Sequence, residues 1–284
     1  MICILTRKPI IGHIVLIIVS FIFCVSCKNK TIIPDDTVSF ETIRVDETQP
    51  WENDDSKTGI SCHLNIAFVY PSSYKDTVLL HKLQSEFIER TFSIKYAGLS
   101  PQQAVDSFKN QYITDFQGEK FSADDYDLGD ENGFQYHLDL KNTITYNGNN
   151  LVSFLVETEN FEGGAHGSHS AFGYVIDLNT ADYVTEDSFA GTDYKKNLSE
   201  IIVQKIADAN KVSDPKQLEN MGYNSISDIS PNGNFTIDEK GITYYFNEYD
   251  IASYFIGITK VFIPYDELKV FITDDSPIAP LVKL

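Results

Sequence analysis

The residues best suited to chemistry lie in one short segment, residues 161–169, with the sequence FEGGAHGSH. Its three glycines permit positive φ angles and a close approach of the backbone to a ligand. Glu162, His166 and His169 are residue types that bind zinc, but their spacing fits no helical metal signature. The segment also lacks the features of a phosphate-binding loop or of a nucleophile elbow. We expect a tight structural or ligand-contacting loop with no cofactor, and we keep His166 and His169 as weak metal candidates and catalysis as an alternative.

Three other candidates have plainer interpretations. The acidic segment 124–130 looks like a calcium loop but lacks the twelve-residue ligand spacing, which favours a solvated acidic loop. His137 falls on the polar face of a predicted strand, so we expect it to be exposed to solvent. Cys62 has His63 beside it, but adjacent residues on a strand point to opposite faces. We therefore expect Cys62 to be a buried structural cysteine.

The composition of the chain excludes some classes of function. The 284 residues include 41 acidic and 22 basic side chains, which gives a formal net charge of −19. Nucleic-acid binding needs clusters of Lys and Arg to neutralise phosphates, and the sequence has none. The 19 Phe and 16 Tyr side chains indicate a folded core rather than a disordered chain. A strongly negative surface favours encounters with a cationic partner.

The N-terminal segment predicts export and a lipid anchor. Arg7 and Lys8 precede an apolar stretch over 14–23, which is typical of a secretory signal and short for a membrane-spanning helix. The sequence Cys24-Val25-Ser26-Cys27 resembles the lipobox of bacterial lipoproteins. We expect a signal peptide over 1–26, a lipid on Cys27 and a flexible tether over 27–57; the alternative is an uncleaved membrane anchor.

Removal of the signal peptide would leave 20 basic and 41 acidic side chains and a net charge of −21. Cys62 would be the only cysteine besides Cys27, so we expect no internal disulfide. No acidic run follows Cys27. We therefore expect the protein to be anchored in the cell envelope, at the outer membrane and facing the periplasm.

Hydrophobic periodicity divides the rest of the chain into strands joined mostly by hairpins and separate blocks of helix. The sequence Asn147-Gly148-Asn149-Asn150 is a hairpin turn signal, and Ser100, Pro101 and Gln103 form a strong helix start. This pattern predicts an α+β fold: an antiparallel β-sheet built from hairpins with helices packed on it. The predicted strands are 61–70, 134–146, 151–161, 171–178, 235–237, 242–246 and 258–263, and the predicted helices are 77–92, 101–118, 192–209, 214–221 and 264–268.

Three ordered motifs carry a family resemblance. They are the Glu-Gly-Gly-Ala-His-Gly loop at 162–167, Asp-Leu-Asn-Thr at 177–180 before a helix, and a C-terminal pattern within 245–268. The sequence resembles exported bacterial domains of the RsiV-like and PdaC-like type, a PdaC-like domain followed by the domain of unknown function 3298. The resemblance implies a PdaC-like part over 58–178, an RsiV-like part over 179–273 and a tail over 274–284.

The resemblance also implies a function. RsiV-like proteins bind lysozyme through this ectodomain, and PdaC-type deacetylases carry their chemistry in a separate appended domain. We therefore expect a non-catalytic binding or sensing module of the envelope, whose partner is a cationic, lysozyme-like protein or peptidoglycan. The alternatives are a metal-assisted hydrolase acting on cell-wall glycan through Glu162, His166 and His169, and an envelope scaffold without a small ligand. The expected ligand contacts are Glu162, Gly163, Gly164, His166, Tyr249 and Tyr254.

Overall fold

Six strands form the larger of two sheets in the computed structural model, which describes residues 36–52, 59–119, 135–191 and 194–282. Their order follows the sequence, and all neighbours are antiparallel except β2 and β3, which are parallel. The chain passes through two helices between β2 and β3, and a crossover of that length permits parallel pairing. The strands are β1 (Ser39–Pro50), β2 (Ser61–Ser73), β3 (Gln135–Gly148), β4 (Leu151–Phe161), β5 (Ser168–Asp177) and β6 (Asp182–Tyr183).

The two crossover helices begin as the sequence predicts. Helix α1 (Thr77–Thr91) is capped by Asp76, whose carboxylate accepts hydrogen bonds from the backbone of Val78 and Leu79. Helix α2 (Pro101–Gly118) has proline in its first turn, and the side chain of Gln103 accepts a hydrogen bond from the Ser100 backbone at 3.2 Å. These contacts satisfy backbone groups that a helix N-terminus leaves unpaired.

One face of the six-stranded sheet forms a hydrophobic core with α1 and α2. Cys62, Leu64, Ile66 and Phe68 alternate along β2 and are completely buried. The ring of Phe87 in α1 stacks on Phe154 of β4, with centroids 4.0 Å apart. Burial raises the pKa of the Cys62 thiol to about 11, so it stays protonated and unreactive. The prediction of a buried Cys62 is confirmed.

The second sheet packs on the opposite face of β4 and β5. Its strands are β7 (Phe235–Ile237), β8 (Gly241–Phe246) and β9 (Thr259–Pro264), all antiparallel. The Ile237 backbone donates a hydrogen bond to Ser153 Oγ of β4 at 3.1 Å, and Leu151 and Val175 of the first sheet share a core with the C-terminal elements. The two parts of the chain are therefore packed together. The α-helices of this region are α3 (Glu186–Phe189), α4 (Tyr194–Ala209), α5 (Tyr265–Leu268) and α6 (Ala279–Val282), and Pro215–Met221 forms a 3₁₀ helix.

The predicted α+β class is confirmed, with one difference within the sheet and one at its edge. The parallel pair β2–β3 makes the sheet mixed rather than purely antiparallel. Ser39–Pro50 lies inside the segment assigned to a flexible tether, yet it forms β1 and pairs with β2 along its whole length. The assignment failed because this strand is mostly polar and packs only three of its side chains, Phe40, Ile43 and Val45, against the core.

Some predictions fall outside the described residues and stay predictions. They are the signal peptide, the lipid on Cys27 and the acidic segment 124–130. Among the residues that the structure does describe, no helix combines the length and apolar character needed to span a membrane.

Candidate functional site

The glycine-rich loop is shorter than its sequence indicates. Strand β4 ends at Phe161 and β5 begins at Ser168, so residues 162–167 form the connection and His169 belongs to β5. Gly163 and Gly164 have φ angles of +94° and +91°, which glycine adopts without strain. The tight turn expected from these glycines is therefore present.

Glu162 fixes one side of this loop to helix α2. The Tyr112 hydroxyl donates a hydrogen bond to Glu162 Oε1 at 3.0 Å. Burial of the Tyr112 ring, together with the nearby Glu162 carboxylate, holds the pKa of Tyr112 well above its usual range. The carboxylate of Glu162 is thus engaged by a neutral hydroxyl group.

His166, on the other side of the loop, packs against a turn far away in sequence. Its ring stacks on Tyr254 with centroids 3.9 Å apart and an interplanar angle of 26°. The Tyr254 hydroxyl donates a hydrogen bond to the Gly167 carbonyl oxygen at 2.9 Å, which joins the turn to the loop. The Tyr249 ring lies 5.9 Å from the Tyr254 ring.

Two aromatic side chains at this place face solvent. Tyr249 is 63% exposed, and Phe255, which lies in the same 3₁₀ turn as Tyr254, is 73% exposed. We call His166, Tyr249, Tyr254 and Phe255 the aromatic tip. The structure brings three of the predicted contact residues together here; Phe255 was missed, because nothing in its sequence neighbourhood distinguishes it from a core aromatic.

His169 has a separate set of partners. Its Nδ1 lies 2.8 Å from Glu248 Oε1, and its backbone donates a hydrogen bond to Glu248 Oε2 at 3.2 Å. On the other side of the ring, Nε2 lies 3.6 Å from Glu159 Oε1, which is also 3.8 Å from His137 Nε2. His137 is therefore half-buried beside a carboxylate rather than freely exposed. Strand alternation could have revealed Glu159, but no sequence signal links Glu248 to His169.

The three metal candidates do not meet. Glu162 contacts Tyr112, His166 contacts Tyr254, and His169 contacts Glu248. Within the described ranges, no group of three or more His, Cys, Asp or Glu side chains is arranged to hold a metal ion. The three candidate ligands of the metal-assisted hydrolase interpretation therefore do not form a common site.

Comparison with known families reproduces the predicted order of domains. The family model described as deacetylase PdaC matches residues 61–169, and the model described as a protein of unknown function, DUF3298, matches residues 184–266. No curated protein matches the chain. Together, the PdaC-like and DUF3298 domains indicate an envelope-associated protein.

Two solved structures are similar over most of the chain. A member of the DUF3298 family from Bacteroides fragilis is 30% identical with a TM-score of 0.75, and the match covers 88% of this chain and 98% of that one. A DUF3298 family protein from Pseudomonas aeruginosa is 14% identical with a TM-score of 0.57, over 85% and 97% of the two chains, and shows the shared fold alone. The identity to the Bacteroides fragilis protein over nearly its whole length, with the family match at 184–266, shows that this chain belongs to the DUF3298 family.

Proposed function

We propose that this protein is a non-catalytic binding module of the cell envelope that binds a basic, lysozyme-like protein through the aromatic tip. The observation that carries the proposal is the exposed Tyr249 ring beside the packed rings of His166 and Tyr254, with the exposed Phe255 in the same 3₁₀ turn as Tyr254. Exposed aromatic side chains held on a rigid support are typical of the residues that dominate binding energy in protein interfaces.

Charge supports a basic partner. The chain carries a formal net charge of −19, and Glu248 and Asp250 lie next to Tyr249 in the sequence. A negative surface increases the association rate with a positive protein and disfavours an acidic one. The exposed rings would supply affinity, and the long-range field would supply the preference for a cationic partner.

No covalent step is part of the proposal. Glu162, His166 and His169 each have a different partner: Tyr112, Tyr254 and Glu248 respectively. The support for binding is a prearranged surface: the Tyr254–Gly167 hydrogen bond and the His166–Tyr254 stack fix the two loops before a partner arrives. Such preorganisation reduces the entropy lost on association.

Binding can be tested with lysozyme as the probe and the full-length chain as the receptor. The double variant Tyr249→Ala/Phe255→Ala is expected to weaken lysozyme binding about 30-fold, the loss that corresponds to removing a hot spot of about 2 kcal/mol. Calorimetry at low and physiological salt would measure the dissociation constants, and higher salt is expected to weaken binding.

The matched control removes two equally exposed apolar side chains elsewhere. Val78 and Ile94 are each 70% exposed, so Val78→Ala/Ile94→Ala is expected to leave lysozyme binding unchanged. Absence of heat with lysozyme at low salt would refute a basic protein partner. Binding of peptidoglycan fragments instead would show that the partner is a glycan.

We also propose that a lipid on Cys27 holds the module at the outer membrane, facing the periplasm. The support is the lipobox-like sequence Cys24-Val25-Ser26-Cys27 and the family's association with the envelope. Protease treatment of intact cells is expected to leave the protein uncut, whereas permeabilised cells should release fragments. Cleavage on intact cells would place the module on the cell surface.

A further inference from the structure

The second sheet leaves part of the first sheet uncovered. It packs over the N-terminal half of β4, over β5 and against Tyr146 near the end of β3, but the same face of β1, β2 and the N-terminal half of β3 stays open. A cleft of about 570 Å³ lies there, bounded on one side by Ile258 just before β9. Most of the side chains that line the cleft alternate along their strands with residues of the helix-covered core. They therefore lie on the opposite face of the sheet from that core.

Strand pairing arranges the side chains of this cleft in two rows of opposite character. In the first row, Arg44 pairs with Ala67, Ala67 with Lys141, and Lys141 with Glu157. The second row is two residues away along each strand and contains Asp46, Asn65, Asp139 and Glu159. Directly paired residues lie on the same face, so the rows run side by side across the sheet.

The first row has an excess of positive charge. Glu157 lies 3.2 Å from Lys141 Nζ and 3.7 Å from Lys260 Nζ, so two lysines share one carboxylate. Within the part of the chain that the structure describes, the exposed Arg44 guanidinium has no hydrogen bond or ion pair. Ala67, between Arg44 and Lys141, leaves room above the sheet for a group that both cations can contact. A carboxylate is the matching group, because a guanidinium binds it through two parallel hydrogen bonds.

The second row has an excess of negative charge. Asp139 Oδ1 accepts a hydrogen bond from Asn65 Nδ2 at 2.6 Å, which leaves its other oxygen available. The Glu159 side chain is 54% exposed and lies 3.6 Å from His169. Both carboxylates face the open cleft, and Asp139 lies on the same strand as Lys141, two residues away, where it can contact an ammonium group.

The two rows are about 7 Å apart, since two residues of a strand span that distance. The terminal ammonium and carboxylate of an extended dipeptide are separated by about the same distance. We propose that this cleft binds a zwitterionic dipeptide along β3, with its carboxylate at Lys141 and within reach of Arg44, and its ammonium at Asp139, two residues away on the same strand. This site is separate from the aromatic tip and does not depend on the function proposed for it.

Alanyl-alanine and two blocked derivatives test the proposal with the full-length chain. N-acetylation removes the ammonium charge, and C-terminal amidation removes the carboxylate charge. Alanyl-alanine is expected to cause saturable shifts in the amide spectra of residues 65–67 and 139–141, with at least tenfold higher affinity than either derivative. Equal affinity for the three compounds, or no saturable shift, would overturn the proposal.

Single substitutions test which side chain contacts each end of the dipeptide. Arg44→Gln is expected to weaken alanyl-alanine binding about tenfold and to leave binding of the amide unchanged, because the amide lacks the group that Arg44 contacts. Asp139→Asn should affect alanyl-alanine but not the N-acetyl derivative. Lys196→Gln and Glu200→Gln, at exposed positions on α4, are the controls and are expected to change nothing. Unchanged affinity in both cleft variants would contradict the assignment.

Discussion

Replacing Gly173 with alanine is expected to lower the free energy of unfolding by about 3 kcal/mol, at the upper end of the range for overpacked sites. Gly173 lies in β5 where the second sheet crosses it. A Cβ atom there would stand 2.3 Å from the Phe235 carbonyl carbon, 2.4 Å from its oxygen and 2.8 Å from the Thr236 nitrogen. These are backbone atoms, so no side-chain rotation relieves the collision, and the two sheets must move apart.

Urea unfolding would measure this loss, with Gly98→Ala as the control. A Cβ atom at Gly98 would have no heavy atom within 4 Å, so the control is expected to change stability by less than about 0.5 kcal/mol. An equal free energy of unfolding for Gly173→Ala and wild type would show that the sheets can separate locally at no cost. The same variant should also bind lysozyme more weakly, because β5 connects to the loop that carries His166.

Asn234→Asp is expected to cost about 3 kcal/mol at neutral pH, because it replaces two hydrogen-bond donations by repulsion. Asn234 Oδ1 accepts from the Gly173 backbone at 2.7 Å, and Nδ2 donates to the carbonyl oxygens of Ala171 and Tyr245, each at 2.9 Å. A carboxylate still accepts from Gly173 but places its second oxygen against the two carbonyl oxygens. The substitution changes the size of the side chain very little.

The pH dependence of this variant distinguishes lost donation from a general packing defect. The facing carbonyl oxygens raise the pKa of the introduced carboxyl group in the folded state above its unfolded value of about 3.9. The protonated form can donate again, so stability is present below the unfolded pKa and is lost as the pH rises through the folded pKa. The destabilisation relative to wild type should therefore be smaller at about pH 4 to 5, within roughly one unit of the unfolded pKa, than at neutral pH.

The exposed Asn197 on α4 provides the control for this charge change. Asn197→Asp is expected to have a small, nearly pH-independent effect on the free energy of unfolding. A pH-independent loss in Asn234→Asp would refute the hydrogen-bond explanation. Gly173 and Asn234 lie where the two sheets pack together. They matter for function because the aromatic tip combines a loop of the first sheet with a turn of the C-terminal part.

Local chemistry made several elements predictable. The N-terminus of α2 follows from Ser100, Pro101 and Gln103, whose capping preferences depend only on neighbouring residues. The β3–β4 hairpin follows from Asn149 and Asn150, which have φ angles of +51° and +57°. Asparagine tolerates this left-handed conformation better than most residues, so the sequence marks the turn directly.

Other features depend on contacts between distant residues. Strand β1 is mostly polar and gains its stability from pairing with β2, which periodicity does not reveal. The aromatic tip joins His166 to Tyr254, and the carboxylate beside His169 comes from Glu248. The family resemblance placed His166 and Tyr254 among the expected contacts, but only the fold shows that they stack on each other.

Strand β1 also protects the protein from self-association. It forms one edge of the six-stranded sheet and carries charged side chains such as Arg44 and Asp46, which discourage another chain from pairing with it. The neighbouring strand in the same sheet is β2, which has 13 residues and a continuous apolar face. The PdaC match begins at residue 61, so a protein trimmed to that boundary would lose β1 and expose the backbone of β2 as a template for aggregation.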